Sequence, residues 1–126
     1  MEKERVTLTL PLPSRTLSPN GRPRHWAVRS RAVRSYRELA HLLALRHRPA
    51  VPWTVAKVTC RFFYATRRRR DRDNLLASMK PAFDGLADAR LIADDAGLIH
   101  QPAEIVIDPD DPRVEITVER MGPKGT

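Results

Sequence analysis

Asp71 and Asp73 stand one residue apart in the run Arg67-Arg68-Arg69-Arg70-Asp71-Arg72-Asp73-Asn74. In an extended segment, residues i and i+2 face the same side. Two carboxylates held side by side repel unless a proton or a cation lies between them. Hard divalent cations such as Mg²⁺ take one or a few carboxylates together with water and substrate phosphate oxygens. Asp94-Asp95 offers a second acidic pair beyond the intervening helix. A helix cap at Asp73 and a charge balance at Asp71 account for the same two residues without a metal. A calcium loop is excluded, because Leu75, Leu76 and Ala82 stand where such a loop needs an oxygen ligand, Gly and Glu. Guanidinium groups bind phosphates bidentately, so Arg67, Arg68, Arg69 and Arg70 are candidate DNA-backbone ligands, or else a solvated loop. Arg34, Arg37 and His41, spaced i, i+3 and i+7, either extend that basic surface or form an ordinary solvated helix face. Lys80 lies two helical turns past Asp73, about 10 Å in rise. It either reaches a phosphate near the acids or pairs with Asp84 at i+4.

These side chains need elements to hold them. Val6, Leu8 and Leu10 alternate with Thr7 and Thr9, which predicts a half-buried strand ended by Pro11 and Pro13. Pro19, Asn20, Gly21 and Pro23 mark a turn-rich passage. Val28, Ala32, Tyr36, Leu39, Ala40 and Leu43 predict a helix from about Ala27 to Arg46, stopped by Pro49 and Pro52. The β-branched and aromatic stretch from Val55 to Tyr64 reads as a second strand. Leu75, Leu76, Met79, Ala82, Phe83 and Leu86 give the strongest helical period in the chain. That helix is expected to start near Asp73 or Asn74 and to kink at Pro81. Strands at about Ala103–Ile107 and Arg113–Arg120 follow, joined by a turn with Asp108, Asp110 and Asp111. The expected fold is α+β, a small mixed sheet with two helices on one face, in the order β-α-β-α-β-β.

The whole chain, residues 1–126, reads as a single domain. Residues 1–70 carry 17 Lys and Arg against 3 Asp and Glu, a net +14; residues 71–126 carry 6 against 12, a net −6. The sign changes at Arg70-Asp71. Such a basic surface implies a polyanionic partner. An apolar content of 41% with clear periodicity argues against disorder. No apolar run approaches the roughly 20 residues of a membrane span, and no signal peptide is visible, so a cytoplasmic location is expected. The single cysteine, Cys60, makes no internal disulfide and no metal cluster. Trp26, Trp53, Phe62 and Phe63 are assigned to the core, which argues against single-strand binding by aromatic stacking.

In this order of motifs the chain resembles the RusA family of Holliday junction resolvases. The matching stretches are Arg69-Arg70-Asp71-Arg72-Asp73-Asn74-Leu75, Lys80-Pro81-Ala82-Phe83-Asp84-Gly85-Leu86 and Ile92-Ala93-Asp94-Asp95. Leu10-Pro11-Leu12-Pro13, Pro19-Asn20 and the closing Glu119-Arg120-Met121-Gly122 are similar as well. Where members often carry a basic residue after the acidic pair, this chain has Ile105. The resemblance implies metal binding by Asp71, Asp73 and Asp95, a catalytic role for Lys80, and supporting roles for Asn74 and Asp94. It also implies Mg²⁺ (Mn²⁺ a possible substitute) and cleavage of four-way DNA junctions by a homodimer, in recombination and repair. Two other functions fit the same residues. One is a non-catalytic basic DNA-binding module; the other is a metal-dependent nuclease of flaps, forks or other branched DNA. The acidic cluster separates the first from an enzyme, since carboxylates facing a polyanion impede binding unless a cation offsets them.

Overall fold

A computed structural model describes residues 4–18 and 26–122. The Pro19, Asn20, Gly21 and Pro23 turn lies outside the described residues. Strand β1 (Arg5–Leu10) leads through a 3-10 turn at Arg15–Leu17 to helix α1 (Trp26–Leu45) and strand β2 (Ala56–Tyr64). Two short helices follow, α2 (Arg72–Ala77) and α3 (Lys80–Asp88). A 3-10 turn at Asp95–Gly97 and strands β3 (Leu98–His100), β4 (Glu104–Ile107) and β5 (Arg113–Arg120) close the chain.

The alternation seen in the sequence builds the core directly. In the antiparallel register of β1, β5 and β2, Val6, Val118 and Val58 form one row. Leu8, Ile116 and Cys60 form the next row, and Leu10, Val114 and Phe62 a third. All nine are buried. Each such side chain removed from water contributes roughly 1.5–3 kcal/mol before the entropy of ordering is counted. Residues between them face the other side, where Thr7 and Thr117 hydroxyls meet at 3.2 Å. Glu119 lies 3.4 Å from Lys57 and 3.7 Å from Arg5 on that face. Cys60 is part of the packed face, and burial pushes its thiol up to about 12, so it is inert at neutral pH.

The sheet is mixed, as expected. β5 lies between β1 and β2, antiparallel to both. β3 and β4 lie along the other edge of β2, both parallel to it. Pro102 separates them, since it has no N–H to give the ladder. The three-residue β3 is an addition to the expected order.

The second helix is also different from expectation. Asp71, not Asp73 or Asn74, is the N-cap, and its Oδ1 accepts from the N–H groups of Asp73 (2.9 Å) and Asn74 (3.2 Å). The expected kink is a full break at Ser78 and Met79, which makes two helices of one periodic segment. Pro81 is the cause: its ring clashes with the preceding turn and it gives no N–H, so it is tolerated only in the first turn, where α3 places it.

α1 and α3 pack against each other over the buried face. Tyr36, Ala40 and Ala44 turn inward from α1. Gly85 allows the close approach, because a Cβ there would collide with the Arg37 carbonyl oxygen and lie 2.9 Å from the Ala40 Cβ. Tyr36 donates its hydroxyl proton to the Pro11 carbonyl at 2.8 Å, which ties α1 to the end of β1. Trp53, Phe62 and Phe63 are buried. Trp26, expected in the core, is instead 83% exposed at the start of α1. Among the described residues no helix is long and apolar enough to cross a membrane.

Candidate nucleic-acid and metal site

Asp71 and Asp73 share the first turn of α2, where the unpaired N–H groups favour negative charge. Asp71 is extended and Asp73 helical, so they do not form the extended i, i+2 pair expected of the sequence. Asp71 spends one oxygen on the cap. Among the described residues the exposed Asp73 carboxylate makes no hydrogen bond or ion pair. Asn74 lies on the same turn, and its backbone carbonyl accepts from the Ser78 hydroxyl at 2.8 Å.

Lys80 opens α3 and joins two acids. Its Nζ donates to Asp84 at 2.8 Å and to Asp95 in a shorter contact. The i,i+4 pair with Asp84 is present, and the same ammonium also sits on Asp95, an acid of the motif. Asp84 and then Asp95 raise the affinity of Lys80 for its proton. In turn Lys80, followed by Asp94, holds the Asp95 carboxyl below the usual range. Asp94 caps the Asp95–Gly97 turn by accepting from the Ala96 N–H at 2.9 Å. Gly97 fits there because a Cβ would strike the Thr54 carbonyl oxygen. Among the described residues no three His, Cys, Asp or Glu side chains converge as a metal-ligating group. The structure brings Asp71 beside Asp73 and Asp95 beside Lys80, but it does not gather the three acids into one cage. Mg²⁺ asks less than a cage: one or two carboxylates with substrate oxygens and water suffice. Asp71 and Asp73 fit that donor chemistry.

The arginines divide by role. Arg67, Arg68 and Arg69 are exposed, and Arg68 and Arg69 line a groove of about 520 Å³ together with Asp71. Arg70 is fixed instead: its guanidinium lies 3.6 Å over the Tyr64 ring and donates to the carbonyls of Thr66 and Arg68 at 3.2 Å. Arg34 is exposed on α1. Arg37 is committed to a bidentate pair with Asp88, at 2.7 and 2.9 Å, which joins α1 to the end of α3. Arg113, by contrast, belongs to a structural cluster, with Asp108 at 3.0 Å, Glu115 at 3.2 Å and the Phe63 ring 3.7 Å beneath it. Arg15 and Tyr64 are site residues that sequence reasoning passed over. No spacing links Arg15 to Arg68, since the fold alone brings them to one groove.

The Arg37 pair carries a pH dependence. Arg37 holds the Asp88 carboxyl below its ordinary value. A depressed folded pKa gives stability that is present above the unfolded value of about 3.9 and is lost as pH falls through the folded one. The pair is partly exposed, so its worth is at most about 1 kcal/mol. Asp88→Asn should lower the urea midpoint at pH 6, and the deficit should shrink as pH falls below the ordinary carboxylate range. A deficit that persists undiminished at low pH would assign the loss to packing instead.

No family model matches the sequence. The chain is 39% identical over 108 residues to an uncharacterized protein of Xylella fastidiosa (strain Temecula1 / ATCC 700964), an alignment covering 79% of this chain and 67% of that one.

Proposed function

The chain belongs to one family with that Xylella protein, and we propose that it is a Mg²⁺-dependent endodeoxyribonuclease of the RusA type that resolves four-way DNA junctions. The observation that carries this reading is the adjacency in one short segment of exposed arginines and an exposed Asp73 carboxylate, without a partner among the described residues, beside the capping Asp71. A binding module has no use for bare acids against a polyanion; a phosphodiester hydrolase does.

Asp71 and Asp73 would hold the cation, with Asp95, now bridged by Lys80, as the third donor that the resemblance implies. When bound, Mg²⁺ supplies a Lewis acid for the phosphoryl oxygen and lowers the pKa of an attacking water. The chain's own residues do the rest. Arg68 and Arg69 grip phosphates on either side of the cut and fix the strand. Lys80 is held between Asp84 and Asp95; with Asp95 given over to the cation, its ammonium would be left to offset charge that develops on the phosphate. Water oxygen adds to phosphorus, the bond to the 3′ oxygen breaks, and that oxygen takes up the proton. The products are a 5′ phosphate and a 3′ hydroxyl. A C₂ dimer would set two such sites on opposing strands of a junction, which has approximate two-fold symmetry. Arg37, neutralised by Asp88, has no part in the grip.

The test compares a synthetic four-way junction, a flap and a linear duplex, each with and without Mg²⁺. Nicking of the junction alone, only with Mg²⁺, supports resolution. Equal cutting of flap and junction points to a general branched-DNA nuclease, and binding without cutting points to a DNA-binding module. The grip has its own check. Replacing Arg68 and Arg69 by Ala should weaken junction binding and reduce the salt slope of log K by about 1.8, at about 0.9 per lost phosphate contact. An unchanged slope in a fluorescence anisotropy titration would return both to a solvated loop.

A further inference from the structure

The groove beside Asp71 has features that phosphate binding alone does not use. Its described lining includes Leu12, Pro13 and Leu75 as apolar walls and Arg15, Arg68 and Arg69 as exposed cations. Arg70 also lines it. That guanidinium lies 3.6 Å over the centre of the Tyr64 ring and is tied to two carbonyls. The Tyr64 ring is in turn nearly parallel to Phe62, at 12° and 6.4 Å between centroids. An arginine immobilised in this way is a poor roving phosphate clamp, but it is a rigid planar cation, the surface on which unstacked bases settle. Its volume near 520 Å³ falls in the range of small-ligand clefts. In the absence of a cation Asp71, on the lining, repels phosphate, so the anion of a ligand belongs at the Arg15, Arg68 and Arg69 side and its apolar part against Leu12, Pro13 and Leu75.

We propose that this groove takes one unpaired, unstacked nucleotide of a DNA strand, its base on the Arg70 plane and its phosphate on the neighbouring arginines. Resting on the nuclease reading, the inference gives the site a preference for DNA in which a base is already free of its partner, as at a branch point. A fully paired duplex must first expel a base to fill the groove, which costs unpairing and unstacking.

The experiment uses the full chain without divalent cation, so that binding is measured apart from cutting. Two probes of equal length are titrated: a duplex with one bulged 2-aminopurine nucleotide, and the same duplex fully paired. The wild-type protein should bind the bulged probe at least fivefold more tightly and change its 2-aminopurine emission. Arg70→Lys keeps the charge but removes the plane, and it should bring the two affinities within twofold. Arg15→Gln, on a different segment, should weaken the bulged probe selectively and so guards against a misfolded Arg70 loop. Equal affinity of the wild-type protein for both probes overturns the proposal, as does an undiminished preference in both variants. Cleavage of junctions is scored separately in Mg²⁺. A bulge preference without any cleavage supports the groove and removes the nuclease reading, whereas cleavage without preference removes the groove alone.

Discussion

Asp73→Asn should cut a four-way junction at least about a hundredfold more slowly than the wild-type protein in Mg²⁺, while binding it as well or slightly better. The side chains are nearly isosteric, so the change removes charge and little else. Among the described residues Asp73 makes no hydrogen bond or ion pair, so its loss breaks no contact that holds α2. Without this carboxylate the cation that stabilises the reacting phosphate would be held less well, and losing one such electrostatic stabiliser commonly costs about 10²–10³ in rate. Binding moves the other way, because one anion facing the DNA backbone is gone. Asp71→Asn tests the neighbour without unfolding the turn, since Asn caps a helix about as well as Asp. Asp71→Ala mixes the two effects, adding a loss of about 1 kcal/mol of stability. Single-turnover cleavage and anisotropy on the same preparations separate rate from affinity. An Asp73→Asn protein that cuts at the wild-type rate would remove this residue from the chemistry.

The second large effect is expected at Gly85 and concerns stability. Helix propensity favours Ala over Gly by about 1 kcal/mol in a helix interior. Sterics oppose it, because the new Cβ would meet the Arg37 carbonyl oxygen, the Ala40 Cβ and the His41 N–H, two of them backbone groups that cannot swing aside. Overpacking of this kind costs roughly 1–3 kcal/mol. The steric side wins, and Gly85→Ala should destabilise by about 1–2 kcal/mol net. Gly85→Val adds two methyl groups to the same contact and loses the propensity gain, so about 3 kcal/mol or more is expected. Urea unfolding followed by circular dichroism gives both values. An Ala variant more stable than the wild type would mean that α1 and α3 separate at little cost.

What the sequence revealed depended on how local each interaction is. β1, β2, β4 and β5 lie within a residue of their expected bounds: strict alternation encodes one buried face in β1 and β5, and β-branched and aromatic content marks β2. β3 escaped notice: three residues hold no period, and Leu98–His100 is a strand only because β2 offers it a parallel edge. Pro81 announced a disturbance, but whether a helix bends or divides depends on packing that only the fold contains. The Arg37–Asp88 pair spans 51 residues and the Lys80–Asp95 pair 15, so neither follows from helical spacing. The Lys80–Asp84 contact does follow from it, and it is present. The acids and arginines of the candidate site were legible as residue types. Their distribution was not, with Arg70 immobilised on Tyr64, Asp71 used as a cap and Asp95 held by a lysine.

The most direct measurement maps the ends left on each strand of an end-labelled four-way junction incubated with the full chain and Mg²⁺. Two nicks should appear at symmetry-related positions on opposing strands, each with a 5′ phosphate and a 3′ hydroxyl, and none when EDTA replaces the cation. Strands that stay intact at saturating protein and Mg²⁺ would contradict the account.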